Sequence, residues 1–281
     1  MESSKTMSDG DFAKLRAIVY SQTGINIGDS RRSLLVTRLR PRLRDLGLTD
    51  YKAYISRLSQ DAAERQELTN RVTTNETYFY RTPRVWTYFN EVYVPGFIRK
   101  AQNRPLRVWS AAASTGEEAY TTGVFLEEMR SRADRFEYAI LGTDISSRVI
   151  DVATAGLYKG RPVARFRQDR PDLFARHMTG SDESGWQVTS QIRSRIRFRQ
   201  HSLLDPLKNT AQFDVIFLRN VLIYFTAADQ EVILKHARSL LHPDGVLFIG
   251  ESESLKHINT DFEQVEPIIY RPVSRSGGPA A

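Results

Sequence analysis

The sequence predicts an α/β protein with a doubly wound sheet, a small all-helical domain in front of it and an insertion in its second half. Three observations carry this prediction. Residues 107–120, Arg-Val-Trp-Ser-Ala-Ala-Ala-Ser-Thr-Gly-Glu-Glu-Ala-Tyr, read as strand, small-residue loop and helix. Further strand-like runs follow it, separated by helical patterns, and strand–helix–strand alternation implies a parallel sheet covered on both faces. Asp11 to Val72 keeps a helical period throughout and needs no strand.

The helical part comes first. Residues 1 to about 10 and Ser274 to Ala281 are polar and expected to fray. Between them and the sheet lie four apolar stripes: Phe12, Leu15, Ile18 and Val19; Leu35, Leu39, Leu43 and Leu46; Tyr51, Tyr54, Ile55 and Leu58; Leu68 and Val72. Gly24, Gly28, Gly47 and Asp61 mark the breaks, giving three or four helices. The second, Ser30 to Leu46, carries Arg31, Arg32, Arg38, Arg40, Arg42 and Arg44, with Arg31, Arg38 and Arg42 on one flank of the leucine stripe. Such a charge run also reads as a solvated face. Pro41 should kink or end this helix near Leu39.

Thr73-Thr-Asn-Glu-Thr-Tyr-Phe-Tyr-Arg81 is a linker, and its aromatic end is unusual for one. Thr82 and Pro83 open a helix whose Trp86, Phe89 and Tyr93 share a face before Pro95 interrupts it. Leu106 to Ser110 is the first strand. Ala111 to Gly116 is nearly free of side chains, so a ligand can approach the backbone closely. The helix after it runs through Tyr120, Val124, Leu126 and Met129. A diphosphate site would keep this helix start free of acid, yet Glu117 and Glu118 stand there. They favour a ligand with hydroxyls or positive charge, such as the sulfonium cofactor S-adenosylmethionine, unless they only complement the helix dipole.

Phe136 to Thr143 is a second strand with Asp144 at its tip, and Ser146 or Ser147 caps a helix through Val149, Ile150, Val152 and Ala153. An acid at that tip can accept from ribose hydroxyls; it can also simply cap. Phe213 to Leu218 and Gly245 to Ile249 are the third and fourth strands, separated by a helix from Ala227 to Leu241 and a turn at His242-Pro-Asp-Gly245. Phe262 to Val265 and Ile268 to Arg271 close the sheet as a hairpin split by Pro267. Tyr158 to Arg195, with Pro162, Pro171, Gly180 and Gly185, fits the alternation poorly and reads as an insertion with short strands near Trp186 to Thr189. Arg195 to Gln200 alternates charged and apolar residues, as a guarded edge strand does, and leads to Ser202–Asp205 at the ligand rim.

A chain of 281 residues with 41% hydrophobic content accommodates one large domain and a small one. It has no cysteine and no apolar run of membrane-spanning length, so disulfide, thiolate and cysteine-metal chemistry are excluded, no metal is expected, and a soluble cytoplasmic protein is. The net charge is +7, and 32 of the 40 basic residues are arginine, which suits partners bearing carboxylates or phosphates.

Thr73 to Arg81, Trp109-Ser-Ala-Ala-Ala-Ser-Thr-Gly-Glu-Glu118 and Phe213-Asp-Val-Ile-Phe-Leu-Arg-Asn-Val-Leu-Ile-Tyr-Phe225 together resemble the CheR-type chemotaxis receptor methyltransferases. The resemblance runs in the family's order from the first helix to Tyr270. It implies an N-terminal helical receptor-recognition domain over 1–72, a linker over 73–83 that contributes to the cofactor site, and a doubly wound, Rossmann-like methyltransferase domain over 84–281. A small β-subdomain would be inserted at about 159–194. The implied activity is S-adenosylmethionine-dependent methylation of glutamates on the acidic cytoplasmic helical bundle of a chemoreceptor, giving methyl esters and S-adenosylhomocysteine.

By matching position, the resemblance assigns Asn75, Thr77, Arg81, Glu118, Asp144, Ser202, Leu203, Arg219 and Asn220 to the cofactor, with Arg81 and Tyr224 beside the transferred methyl group. Ser202 departs from the family's asparagine. Arg38, Arg42 and Arg44 are the closest matches to the receptor-binding arginines, although Pro41 departs from the usual basic run. The insertion resembles the subdomain with which some members capture a receptor C-terminal peptide by strand addition. A monomer is expected, with neither membrane insertion nor nucleic-acid binding.

The charge also motivates a nucleic-acid methyltransferase, but the chain lacks the acidic-proline-aromatic tetrad of amino-methylating enzymes and any cysteine nucleophile. A catalytically silent receptor-binding adaptor is the non-enzyme alternative. A dinucleotide oxidoreductase is discarded because the loop lacks the three-glycine spacing.

Overall fold

The computed structural model describes residues 6–100, 104–133 and 135–273. Four α-helices come first: α1 (Asp9–Thr23), α2 (Arg32–Asp45) after a 3-10 turn at Asp29–Arg31, α3 (Tyr51–Gln60) and α4 (Ala62–Val72). Asp50 and Asp61 cap α3 and α4 through their side chains, and Gly24, with φ of 71°, ends α1. The leucine and tyrosine stripes meet in one core of Leu15, Val19, Leu35, Leu39, Tyr54, Leu58 and Leu68.

Two expectations fail here. The N-terminus is ordered earlier than its polarity suggested: Ser8 and Asp11 form a capping box and Met7 is buried. The expected fraying of residues 1–5 and 274–281 lies outside the described residues. Pro41 does not end α2, which runs on to Asp45. The carbonyl that Pro41 leaves without a donor belongs to exposed Thr37, on the side of the helix away from the core, while Leu39 and Leu43 on either side of Pro41 are buried.

The linker leads into α5 (Pro83–Thr87), a π-helical turn (Tyr88–Tyr93) and α6 (Val94–Lys100) without a break. Pro95 therefore does not interrupt the helix. Its ring crowds the carbonyl four residues back, and the wider π turn immediately before it accommodates that clash.

The large domain then alternates: β1 (Leu106–Ser110), α7 (Glu117–Arg130), β2 (Tyr138–Asp144), α8 (Ser147–Ala155), β3 (Leu157–Tyr158), α9 (Arg161–Asp169), α10 (Pro171–His177), β4 (Met178–Ser181), β5 (Gly185–Val188), α11 (Ser190–Arg193), β6 (Ile196–Gln200), β7 (Phe213–Leu218), α12 (Ala227–Leu240), β8 (Leu241–Ile249), β9 (Phe262–Glu266) and β10 (Ile269–Pro272). Seven strands form one sheet in the order β6-β2-β1-β7-β8-β10-β9. The first five in that order are parallel, and β10 runs antiparallel to β8 and β9. Every residue of β7 is buried, as a central parallel strand requires, whereas β6 at the edge exposes Arg197, Arg199 and Gln200. His242 to Gly245 is not a separate turn. These residues bulge within β8, which pairs Leu241 with Phe213 and then Val246 with Val215.

The insertion holds a second sheet, β3-β5-β4, starting at Leu157 and so slightly earlier than expected, and its helices α9, α10 and α11 contain more residues than its strands. It grips the linker. Phe79 stacks on Phe166 at 5.2 Å and meets Tyr158 edge-on at 4.9 Å, and the Arg165 guanidinium lies 4.1 Å from the Tyr78 ring centre. The aromatic end of the linker is thus a docking strip for the insertion.

The helical domain is fastened over the carboxyl ends of the strands. Ser146 Oγ donates to Asn70 Oδ1 at 3.0 Å, Arg148 pairs with Glu67 at 2.9 Å, Tyr20 donates to Asp229 at 2.9 Å, and the Asn26 amide donates to the Tyr224 carbonyl at 2.8 Å. Strand order reverses at β1, and the crevice outside the carboxyl ends of β1 and β7 is where a doubly wound sheet binds ligand.

Candidate active site

A cleft opens at that switch point. Its floor is the Ala111–Ser114 loop after β1, where small side chains leave backbone exposed to the cavity. The linker from Thr73 to Arg81 forms one wall, and the loop after β7, with Arg219, Asn220, Val221 and Tyr224, forms another. Thr23 and Ile25, just past α1, reach the cleft from the helical domain.

Asp144, at the tip of β2, accepts the Ser114 amide at 3.0 Å on one oxygen and the Ser146 amide at 3.0 Å on the other. Burial pushes its carboxyl above the usual aspartate range, against the pull of these amides. Each oxygen keeps a lone pair for a ligand hydroxyl. Glu118 accepts from Ser110 Oγ at 2.7 Å and from Arg219 Nη1 at 2.9 Å, and the Arg219 side chain is only 2% exposed. Glu117 diverges from it. It faces the interior, accepts the Thr115 hydroxyl at 2.6 Å and lies off the cleft, and burial raises its carboxyl. Only one of the two acids at the start of α7 therefore faces a ligand.

Arg81 sits between two residues with left-handed backbone, Tyr80 at φ 61° and Thr82 at φ 63°. Its carbonyl accepts Trp86 Nε1 at 2.9 Å and Arg219 Nη2 at 3.1 Å, so the backbone is held from two sides. Its guanidinium donates to the Glu76 carbonyl at 3.0 Å and lies 5.7 Å from the Tyr78 ring centre. Asn75 is tied to the floor, its carbonyl accepting Ser114 Oγ at 2.9 Å, and Thr77 lines the same wall.

The cleft thus brings together Asn75, Thr77, Arg81, Glu118, Asp144, Leu203, Arg219, Asn220 and Tyr224. Ser202 is the exception. Its hydroxyl turns back to accept the Leu204 amide at 3.3 Å and does not line the cleft. His201 lines it instead, and its Nε2 is a buried atom without a partner among the described residues, as is Arg219 Nε. Burial lowers the His201 pKa, so the imidazole is neutral. Sequence reasoning missed His201, although its place just beyond the β6 tip, next to the Asp144 tip, was a usable signal.

The expected receptor-binding arginines separate. Arg42 donates to both oxygens of buried Glu64, at 3.0 and 2.6 Å, and Arg38 donates to the carbonyls of Val72 and Thr73 and to Thr74 Oγ1. Both guanidinia are therefore committed within the chain, because their acceptors come from α4 and the linker, beyond the reach of a helical-face argument. Arg44 is exposed and has no ion-pair partner among the described residues.

The wall chemistry fits S-adenosylmethionine. An acid with free lone pairs at the second strand tip suits a ribose diol, Glu118 suits an ammonium, and the orphaned polar atoms of His201 and Arg219 are ready for a polar ligand. Residues 10–73 match the family model for the CheR methyltransferase all-alpha domain, and residues 75–270 match that for the CheR methyltransferase SAM binding domain. Chemotaxis protein methyltransferase 2 of Pseudomonas aeruginosa is 35% identical over 266 residues, covering 93% of this chain and 92% of that protein. The chemotaxis protein methyltransferases of Salmonella typhimurium and Escherichia coli are each 33% identical over 269 residues, covering 94% of this chain and 90% and 91% of theirs. With both of its domains matched in order and the switch-point cleft carrying the wall chemistry described, the chain belongs to the CheR methyltransferase family.

Proposed function

We propose that this S-adenosylmethionine-dependent methyltransferase esterifies glutamate side chains on the cytoplasmic helical bundle of a methyl-accepting chemoreceptor, leaving S-adenosylhomocysteine. The observation that carries the acceptor class is Arg81, a cation lining the same cleft as Tyr224, with its backbone doubly held. A fixed guanidinium attracts a carboxylate and repels an amine acceptor.

When bound, S-adenosylmethionine supplies an electrophilic methyl group on its sulfonium sulfur. Asp144 holds its hydroxyls and Glu118 its ammonium, while Asn75, Thr77, Leu203, Arg219 and Asn220 shape the walls. A glutamate carboxylate is already ionised at neutral pH, so no residue of the chain has to remove a proton. Arg81 orients the carboxylate and Tyr224 completes the contact, which is work of placement and water exclusion. An over-strong clamp would favour the charged ground state, so Arg81 acts as a positioner. Arg44 and its exposed neighbour Arg40 offer free charge to the acidic receptor bundle. The outer edge of β4 suits strand addition by a receptor C-terminal peptide. The enzyme works as a monomer in the cytoplasm.

Calorimetric titration with S-adenosylmethionine and S-adenosylhomocysteine, followed by tritiated methyl transfer to a receptor cytoplasmic fragment, tests this. Binding with base-labile label supports carboxyl methylation. Label that survives base, or that goes to RNA or DNA, overturns it, and binding to the receptor without cofactor binding would mark an adaptor.

A further inference from the structure

Glu253, four residues past the end of β8, is absent from every role described above, yet its carboxylate collects four backbone N–H groups. Oε1 accepts the amides of Val221 and Leu222, each at 2.8 Å, and Oε2 accepts those of Asn220 at 2.8 Å and Gly250 at 2.5 Å. Three of these donors belong to the loop after β7, which reaches the cleft with Arg219, Asn220, Val221, Tyr224 and Phe225. The loop takes an unfavourable path at Asn220, whose φ is 58°. Close approach is built in from the other side as well. A Cβ on Gly250 would stand 2.6 Å from Asn220 Nδ2 and 2.7 Å from both the Asn220 nitrogen and Glu253 Oε2, so only glycine lets the two loops meet.

We infer that Glu253 is a positioning residue of the methyltransferase site: one carboxylate beyond β8 sets the conformation of the loop beyond β7, and through it the placement of Arg219, Asn220 and Tyr224. The chemistry requires an acid at this position. A carboxylate has acceptor capacity for four N–H groups, whereas a glutamine of the same shape turns an NH2 toward two of the donors and leaves them opposed. Arg219 carries the consequence furthest, since it pairs with Glu118 and donates to the Arg81 carbonyl, so one displaced loop disturbs both the ammonium end of the cofactor site and the positioner of the acceptor.

Glu253→Gln is the test, with Glu251→Gln as the control that removes an equal charge from the exposed surface of the same turn. The calorimetric Kd for S-adenosylhomocysteine should rise about tenfold or more in E253Q, kcat should fall, and KM for a receptor fragment should stay within about twofold. E251Q should bind like the wild type. Hydrogen exchange in the unmodified protein provides a second test that needs no variant: the amides of Asn220, Val221, Leu222 and Gly250 should exchange slowly. Wild-type cofactor affinity in E253Q, an equal loss in E251Q, a loss confined to thermal stability, or fast exchange at those four amides would each overturn the proposal. It rests on the cofactor reading above, and the two fail differently, because a wild-type protein that does not bind S-adenosylhomocysteine removes that reading, whereas wild-type binding with an unaffected E253Q removes only this one.

Discussion

Replacing Arg42 with alanine strips two hydrogen bonds from Glu64, whose side chain is 1% exposed. What remains to the carboxylate is the Tyr54 hydroxyl at 3.0 Å and Arg57 Nε at 3.9 Å. Removing one partner of a buried ion pair costs about 3–5 kcal/mol. Arg42 itself is 24% exposed, so water enters where its side chain was, and about 3 kcal/mol is expected. That is a large share of the roughly 5–15 kcal/mol that holds a typical domain folded. Far-UV circular dichroism in urea should therefore show the helical transition move down by about 1–3 M, for slopes of about 1–3 kcal/mol per molar. The effect is also pH-dependent. Burial alone would raise the Glu64 carboxyl, but hydrogen bonds from Arg42 and Tyr54 outweigh it and hold the carboxyl below the usual range. A carboxyl depressed in the fold contributes stability that is complete above its unfolded value and is lost as pH falls through the folded one. The gap between wild type and R42A should then narrow below about pH 4. A loss under about 0.5 kcal/mol, as at an exposed salt bridge, combined with a raised receptor KM, would refute this and return Arg42 to the docking surface.

Other outcomes follow from the same geometry. Arg81→Lys keeps the charge but loses the planar fork, so turnover should fall about tenfold or more while the calorimetric Kd for S-adenosylhomocysteine changes little. Arg44→Glu should raise receptor KM about tenfold with kcat unchanged, and steady-state kinetics at two salt concentrations should show the defect shrinking as salt rises; a defect that does not change with salt would rule out charge as its cause. Burial lifts the Asp144 carboxyl above the ordinary aspartate value, so cofactor affinity, which needs the ionised acceptor, should fall as pH drops through that raised value; Asp144→Asn should bind more weakly and lose the dependence.

The periodic features could be read without coordinates. β1 and β7 occupy the predicted spans, and Glu118 and Asp144 line the cleft, because strand tips and a small-residue loop fix a site through local geometry alone. The prolines misled for a local reason. Pro41 and Pro95 break helices in isolation, but buried neighbours on either side of Pro41 and the π turn ahead of Pro95 carry the helix through. Arg38 and Arg42 misled for a distant one, since their acceptors lie up to 36 and 22 residues away on elements whose packing no period reveals. Thr23, Ile25 and Glu253 belong to the same class, each made relevant by a contact between remote segments. Ser202 shows the limit of positional matching: its neighbour Leu203 stays at the cleft while its own short hydroxyl caps the following turn.

The central claim is carboxyl methylation on a receptor, and tandem mass spectrometry of a receptor cytoplasmic fragment after incubation with the enzyme and S-adenosylmethionine tests it most directly. The added methyl should map to glutamate side chains, disappear on mild alkaline treatment and be reduced about tenfold or more when Arg81→Lys replaces the wild type at matched time. A methyl group on lysine, arginine or a chain terminus, stable to alkali, would contradict it.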